Sequence, residues 1–427
     1  MKISKLTHPL RGELKVPGDK SISHRAVMLG SLAQGDTEVS DFLEGADCLS
    51  TIDCFRKMGI DIEKTDHKII IHGKGLHGLK KPYGILDCGN SGTTMRLISG
   101  ILSGQSFEST LTGDPSIKKR PMNRIIRPLK MMGADIKSIN SNDCAPLSIV
   151  GKQLNGIEYH SPLASAQVKS CILLAGLYAD SPTSVTEPYV SRNHTELMLS
   201  YFEGDVKTLE TTAMIQPEPH LKGQKVDVPG DISSAAYFIA AALMIPGSKI
   251  LLKNVGINPT RSGIITVCKS MGGKIELISQ RNDGYEPTAD LLIQSSDLHG
   301  CVIGGGMIPT LIDEIPIIAV LASFASGTTM IKDAQELKVK ESNRLDIMVK
   351  ELQAMGVNVE GTDDGMIIQG GNPMNGTEIE SYLDHRIAMA FSIAGLVCEG
   401  ETTIKHSNCI DISYPGFYKD LAELSQD

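Results

Sequence analysis

The chain reads as an α/β protein of two related domains, each built from three copies of a helix-and-strand module. Three observations predict this. The phrase Val-Pro-Gly-Asp stands at residues 16–19 and again at 228–231, each time after a Leu-Arg-Gly or Leu-Lys-Gly stretch and before an apolar pattern of helical period. A helix-end phrase built around Met-Gly recurs at residues 55–62, 130–136, 269–275 and 353–359, with a degenerate copy at 201–206. Finally, 427 residues exceed what one hydrophobic core usually organises.

In each helix-end phrase an apolar-periodic helix stops at a glycine suited to the left-handed C-cap position, and alternating apolar residues then open a strand. Residues 417–424 make a sixth helix whose following strand is omitted. Intervals of roughly 70 to 85 residues are too long for a solenoid, whose units run about 20 to 50. They suit a larger module used six times. The expected domains are residues 1–18 with 231–427, and 19–230, so the first dozen residues pair with the C-terminal half. Gly and Pro near 15–20 and 226–231 would supply hinge backbone at the two crossings.

Composition narrows the function. A formal charge of -9 and the absence of any long basic run argue against nucleic acid as a partner. No stretch reaches the ~20 apolar residues of a membrane span, and the start lacks a signal-peptide core. Nine cysteines without a Cys-x-x-Cys pair sit among apolar or small neighbours, which suits free thiols in a reducing cytoplasm and no metal or disulfide framework.

The two Val-Pro-Gly-Asp copies lead into different residues. The first runs into Lys20-Ser21-Ile22-Ser23-His24-Arg25, the second into Ile232-Ser233-Ser234-Ala235. Cations and hydroxyls at a helix start favour an anionic ligand, because the first backbone N–H groups and the helix dipole are there too. A capped helix with solvated basic residues explains the stretch equally well. The same two readings apply to Gly89-Asn90-Ser91-Gly92 before Met95 and Ile98, and to the basic loop closed by Arg120-Pro121. They apply again to Ser165-Ala166-Gln167, where Ser165 is a natural N-cap, and to Ser191-Arg192.

In the second half, Lys340 and Arg344 are expected one turn apart beside Glu341, as a ligand site or as a salt-bridged helix start. Asp313 and Glu314 lie in an otherwise apolar run and are the acid/base candidates visible without analogy, since carboxylates there are costly unless paired. Asp384-His385-Arg386 precedes an apolar helix, with Arg386 facing a site or pairing with Asp384. Cations at helix starts in both halves of a net-acidic chain point to small substrates rich in phosphate and carboxylate.

Taken in order, Pro17-Gly18-Asp19-Lys20-Ser21, Gly89-Asn90-Ser91-Gly92-Thr93, Lys119-Arg120-Pro121-Met122, Ser165-Ala166-Gln167, Lys340-Glu341-Ser342-Asn343-Arg344-Leu345 and Asp384-His385-Arg386 resemble the EPSP synthase family across essentially the whole chain. The resemblance implies a two-domain inside-out α/β barrel of six β-α-β-α-β-β units, closing around shikimate 3-phosphate and phosphoenolpyruvate. It also implies transfer of the enolpyruvyl group to the 5-hydroxyl of shikimate 3-phosphate with release of phosphate, without metal or organic cofactor. A cytoplasmic monomer is expected.

Carried over residue by residue, Lys20, Gly92, Arg120, Arg344 and Arg386 would grip phosphoenolpyruvate, with Gln167 shared. Lys20, Ser21, Arg25, Ser165, Ala166, Gln167, Arg192, Asp313 and Lys340 would hold shikimate 3-phosphate. Asp313 would take the 5-hydroxyl proton, and Glu341 with Lys20 would handle protons at C3. The segments at 165–169, 120–124 and 258–261 resemble the second class of the family, often less sensitive to glyphosate, whereas Gly92 is the residue of sensitive members. The nearest rival is the related UDP-N-acetylglucosamine enolpyruvyl transferase, whose loop carries a reactive Cys that residues 113–124 lack. A non-catalytic phosphosugar-binding protein would share the cage but has no need of Asp313 and Glu341. A protein resembling RNA 3'-phosphate cyclase would need a less acidic balance.

Overall fold

The Met-Gly phrases end helices by the expected geometry. Gly59, Gly133, Gly272 and Gly356 all adopt φ between 86° and 90°, the left-handed region that a side chain resists. They follow the helices Ala46–Lys57, Asn123–Met131, Gly263–Ser270 and Arg344–Ala354, and the strands Asp61–Lys64, Asp135–Ser138, Lys274–Arg281 and Asn358–Gly361 begin two residues later. In the degenerate copy the left-handed residue is Glu203 (φ 65°), one place before Gly204. The structure is a computed structural model and describes residues 1–65, 68–282 and 284–425.

Two compact units divide the chain: Met1–Pro17 with Pro229–Asp427, and Gly18–Val228. Both divisions cut a Val-Pro-Gly-Asp phrase. Each phrase leaves a strand of one unit and enters a helix of the other. Strand Arg11–Leu14 pairs in parallel with Lys249–Gly256, while helix Lys20–Leu32 belongs to the second unit. Conversely, Lys225–Asp227 pairs in parallel with Gln34–Ser40, and helix Ile232–Met244 belongs to the first. Gly18 is required at its crossing by close approach, since a Cβ there would lie 2.0 Å from the Asp41 carbonyl oxygen.

Six sheets among the described residues, three per unit, repeat one pattern. A first strand runs parallel to the second, the second antiparallel to the third, and the third antiparallel to the fourth, as in Lys225–Asp227, Gln34–Ser40, Lys68–Lys74 and Asp61–Lys64. The sixth sheet has three strands. Its parallel pair is Glu378–Glu380 and Glu401–Lys405, and the N-terminal strand Lys2–Ser4 takes the third place in antiparallel register. The last helix among the described residues, Phe417–Leu424, is followed there by no further strand.

Within each unit the helices form the interior and the sheets the rind. Strand Lys249–Gly256 buries Ile250, Leu252 and Val255 and turns Lys249 and its other residues outward, as a half-covered sheet does. Helices Ile232–Met244 and Ile315–Phe324, by contrast, are buried all round except at their last residues. This is the inside-out α/β arrangement. All nine cysteines are free, seven of them buried and Cys144 and Cys301 half-buried. Among the described residues no single helix is long and apolar enough to cross a membrane.

Candidate active site

Four of the interior helices depart from complete burial at their N-terminal turns. In Lys20–Leu32 the residues that escape are Lys20 and Ser21; in Gly92–Ser103, Thr93 and Arg96; in Ala166–Gly176, Ala166 and Gln167; in His385–Gly395, Arg386. The helix after the second Val-Pro-Gly-Asp phrase instead buries its whole first turn. In these four helices partial exposure is thus confined to ends where backbone N–H groups and added donors meet, which suits anions.

In the unit Gly18–Val228, Asp19 caps the first helix through Ile22 N–H (2.9 Å) and Lys20 Nζ lies 2.6 Å from Asp47 Oδ2. Arg25 is buried rather than solvated. It donates to Thr195 Oγ1 (2.7 Å), Ser170 Oγ (2.8 Å) and the Ser21 carbonyl (2.9 Å). Behind it, His24 Nδ1 meets Thr51 Oγ1 at 2.7 Å, and Thr51, Thr94 and Ser91 continue the chain at 2.8 and 2.7 Å. Burial, reinforced by Lys20 and Arg25, holds the His24 pKa well below its ordinary value, so this is a neutral hydrogen-bonded link between two helix starts.

At the second start Ser91 caps Thr94 N–H (3.0 Å), and Arg120 leaves the loop to donate to Asn90 Oδ1 (2.8 Å). Arg96, which the sequence reading did not single out, donates to Gln167 Oε1 (2.6 Å), and Gln167 Nε2 donates to Thr93 Oγ1 (3.1 Å). A Cβ on Gly92 would stand 2.7 Å from Arg96 Nη1 and 3.2 Å from Arg120 Nη1. Gly92, Arg96, Arg120 and Gln167 therefore form one cluster, and glycine is what lets the two guanidinium tips lie over the backbone. Ser165 caps the third helix through Val168 N–H (3.5 Å). Half-buried Arg192 lies between the strand Thr183–Thr186 and the helix His194–Tyr201.

In the other unit a single guanidinium organises the acids. Arg344, 1% exposed, donates to Asp384 from Nε (2.8 Å) and Nη2 (3.2 Å), to Glu341 Oε2 (2.6 Å) and, more loosely, to Asp313 Oδ1 (3.4 Å). Burial opposes its charge, but Asp384 and Glu341 outweigh that and raise its pKa. Burial likewise pushes the Asp384 carboxyl up, and Arg344 more than reverses this, leaving it below the usual range. Lys340 Nζ reaches Asp313 Oδ1 at 3.4 Å, and Arg386 donates to the Asp313 carbonyl at 3.0 Å. Arg261 donates to both oxygens of Glu314 at 3.0 Å, so the neighbouring acid is firmly neutralised.

One expected pairing is corrected, and one of two alternatives falls. Lys340 is not a helical turn from Arg344, because the helix starts at Arg344 and Lys340 lies in extended backbone before it; the two meet through Asp313. Arg386 does not pair its side chain with Asp384. That carboxylate instead caps the Arg386 backbone N–H (2.9 Å) and faces Arg344.

One cluster thus gathers cations at helix starts, and the other pairs Lys340, Arg344 and Arg386 with Asp313, Glu341 and Asp384. As for metals, Asp61, Glu63 and His72 have ligand atoms within 4.8 Å of one another. His72 Nδ1 already meets Asp36 Oδ1 at 2.8 Å, and that hydrogen bond raises the His72 pKa.

The family model described as EPSP synthase (3-phosphoshikimate 1-carboxyvinyltransferase) matches residues 5–421. A 3-phosphoshikimate 1-carboxyvinyltransferase of Thermoanaerobacter sp. (strain X514) is 57% identical over 415 residues, 97% of this chain and 98% of that protein. The enzyme of the same name from Bacillus subtilis (strain 168) is 53% identical over 418 residues, 98% of each chain. Among solved structures, an EPSP synthase from Acinetobacter baumannii matches with a TM-score of 0.88 and 46% identity, covering 99% of this chain and 98% of its own.

Proposed function

Since the chain belongs to the EPSP synthase (3-phosphoshikimate 1-carboxyvinyltransferase) family, we propose that it transfers the enolpyruvyl group of phosphoenolpyruvate to the 5-hydroxyl of shikimate 3-phosphate and releases phosphate. What carries this reading is 57% identity to a relative of that name over 97% of the chain.

Lys20, Ser21, Arg25, Ser165, Ala166, Gln167, Arg192, Asp313 and Lys340 bind shikimate 3-phosphate in this proposal; Lys20, Gly92, Arg120, Gln167, Arg344 and Arg386 bind phosphoenolpyruvate. The partly exposed helix starts support the assignment, because dianionic groups gain most from such ends. Asp313 takes the 5-hydroxyl proton as the oxygen attacks C2, while Glu341 or Lys20 delivers a proton to C3. The loose contacts of the Asp313 carboxylate with Arg344 and Lys340, 3.4 Å each, suit a group that must exchange partners during reaction. In the second step C3 returns its proton, the C2–O bond to phosphate breaks and the double bond re-forms. The cations stabilise the departing phosphate throughout.

The enzyme is proposed to work as a cytoplasmic monomer on these small substrates. The deciding assay is phosphate release by the purified protein. Release that requires both shikimate 3-phosphate and phosphoenolpyruvate is expected; release with UDP-N-acetylglucosamine in place of shikimate 3-phosphate would overturn the assignment.

A further inference from the structure

We propose that the buried cluster of Lys169, Glu187 and Glu196 is a positioning device for the shikimate 3-phosphate site, setting the Ser165 helix start, the Ser191–Arg192 segment and Arg25 in one geometry. The inference rests on the substrate reading above and adds three residues that act through others. Lys169 Nζ lies 2.8 Å from Glu196 Oε1 and 3.0 Å from Glu187 Oε2, and it donates to the Ser191 carbonyl at 3.2 Å. The three side chains are between 1% and 4% exposed.

The connections leave the cluster toward substrate-binding residues. Glu187 Oε1 accepts from Ser165 N–H (2.8 Å), the cap of the helix that presents Ala166 and Gln167. Its other oxygen accepts from Ser191 Oγ (2.7 Å) and Ser191 N–H (3.2 Å), immediately before Arg192. One carboxylate thereby ties together two segments on either side of it, the Ser165 cap 22 residues before and Ser191 4 residues after. The residues beside Lys169 and Glu196 hold the third element. Ser170 and Thr195 share a hydrogen bond of 2.6 Å, and both accept from Arg25.

Stability alone does not account for the charges. Removing ions from water costs several kcal/mol each, and an apolar trio of the same shape is often at least as stable. What the ions add is direction, since a carboxylate accepting backbone N–H groups forms shorter and stronger bonds than a neutral acceptor. Lys169 pairs with both carboxylates in the interior. Burial works against its own charge, but Glu196 and Glu187 outweigh burial and raise its pKa.

The test compares Lys169→Met, Lys169→Arg and Glu187→Gln with the full-length wild type. Glu187→Gln keeps the size of the side chain and cannot accept at both Ser165 and Ser191, so it reports even where Lys169→Met fails to fold. Wild-type phosphate release from both substrates is the control that separates failure of the functional reading from failure of this one. In folded variants, Glu187→Gln and Lys169→Met should raise the KM and the calorimetric Kd for shikimate 3-phosphate about tenfold or more. The KM for phosphoenolpyruvate at saturating shikimate 3-phosphate should stay within about threefold. Lys169→Arg should recover most of the lost affinity. An equal rise in both KM values, unchanged affinity for shikimate 3-phosphate, or no recovery by Lys169→Arg would overturn the proposal.

Discussion

Asp313 and Glu341 share one guanidinium yet differ in how tightly it holds them, 3.4 Å against 2.6 Å. Removing either carboxylate leaves Arg344 its two contacts with Asp384, so the interior charge stays paired and the fold should survive. We expect Asp313→Ala and Glu341→Ala to lower kcat by about a hundredfold or more with cooperative unfolding preserved. Turnover near wild type in either variant would exclude that residue from the proton transfers. Gly92 illustrates a different constraint. An added methyl would press on the tips of Arg96 and Arg120, flexible ends that can withdraw, so stability should change little. The methyl itself then fills part of the space over the backbone, and glyphosate is a longer anion than phosphoenolpyruvate. Gly92→Ala should therefore raise the glyphosate inhibition constant by a larger factor than the KM for phosphoenolpyruvate. Equal factors would show that position 92 does not discriminate between them. Arg96, Asp47 and Lys169 escaped the sequence reading for one reason: their partners lie on other elements, and pairing across elements leaves no period in the chain.

Elements were more legible than contacts. A left-handed C-cap demands a particular residue, so four Met-Gly phrases announced four helix ends, and the copy without strict Met-Gly moved its left-handed residue to Glu203. N-caps were similarly visible, Ser165 by its hydroxyl just ahead of an apolar period. Lys340 was misplaced because an i, i+4 spacing signals one helix face only where both residues are helical, and the chain ahead of Arg344 is a 3-10 turn and extended backbone. Gly356 isolates the cost of the cap. At φ 86° its added Cβ would find Asn375 Nδ2 as nearest neighbour at 3.7 Å, an ordinary contact, so the substitution strains the backbone without a clash. Gly356→Ala should destabilise the protein by about 1 kcal/mol, measured by denaturant titration. Because the cap lies at the far end of the helix from Arg344, kcat should be unchanged; a fall in kcat without loss of stability would mean that the cap tunes the cage.

At the scale of the molecule, the repeated phrase does more than mark symmetry. Each copy carries the chain from a strand in one unit to a helix in the other, so one unit needs the chain's first residues and its C-terminal half to complete its sheets, while the other closes its first sheet with its own last strand. The crossings are anchored as well as permissive: Asp231 N–H donates to the Pro17 carbonyl at 2.9 Å and Gly230 N–H to the Asn254 carbonyl at 2.8 Å, all within one unit. Motion there would be confined to a few dihedrals beside fixed points, which is how hinges usually work. The functional reading gives such motion a purpose. Its phosphate-binding cations Lys20, Arg25 and Arg120 belong to one unit, and Lys340, Arg344 and Arg386 to the other. Ligands that must satisfy both sets favour whichever arrangement lets both sets bind, and that differential affinity is the only source of a population shift. Saturating shikimate 3-phosphate should therefore reduce the radius of gyration in small-angle scattering, and phosphoenolpyruvate should reduce it no further than the complete substrate pair does. An unchanged radius with both ligands bound, binding being verified by calorimetry, would mean that the two sets of cations act without domain closure.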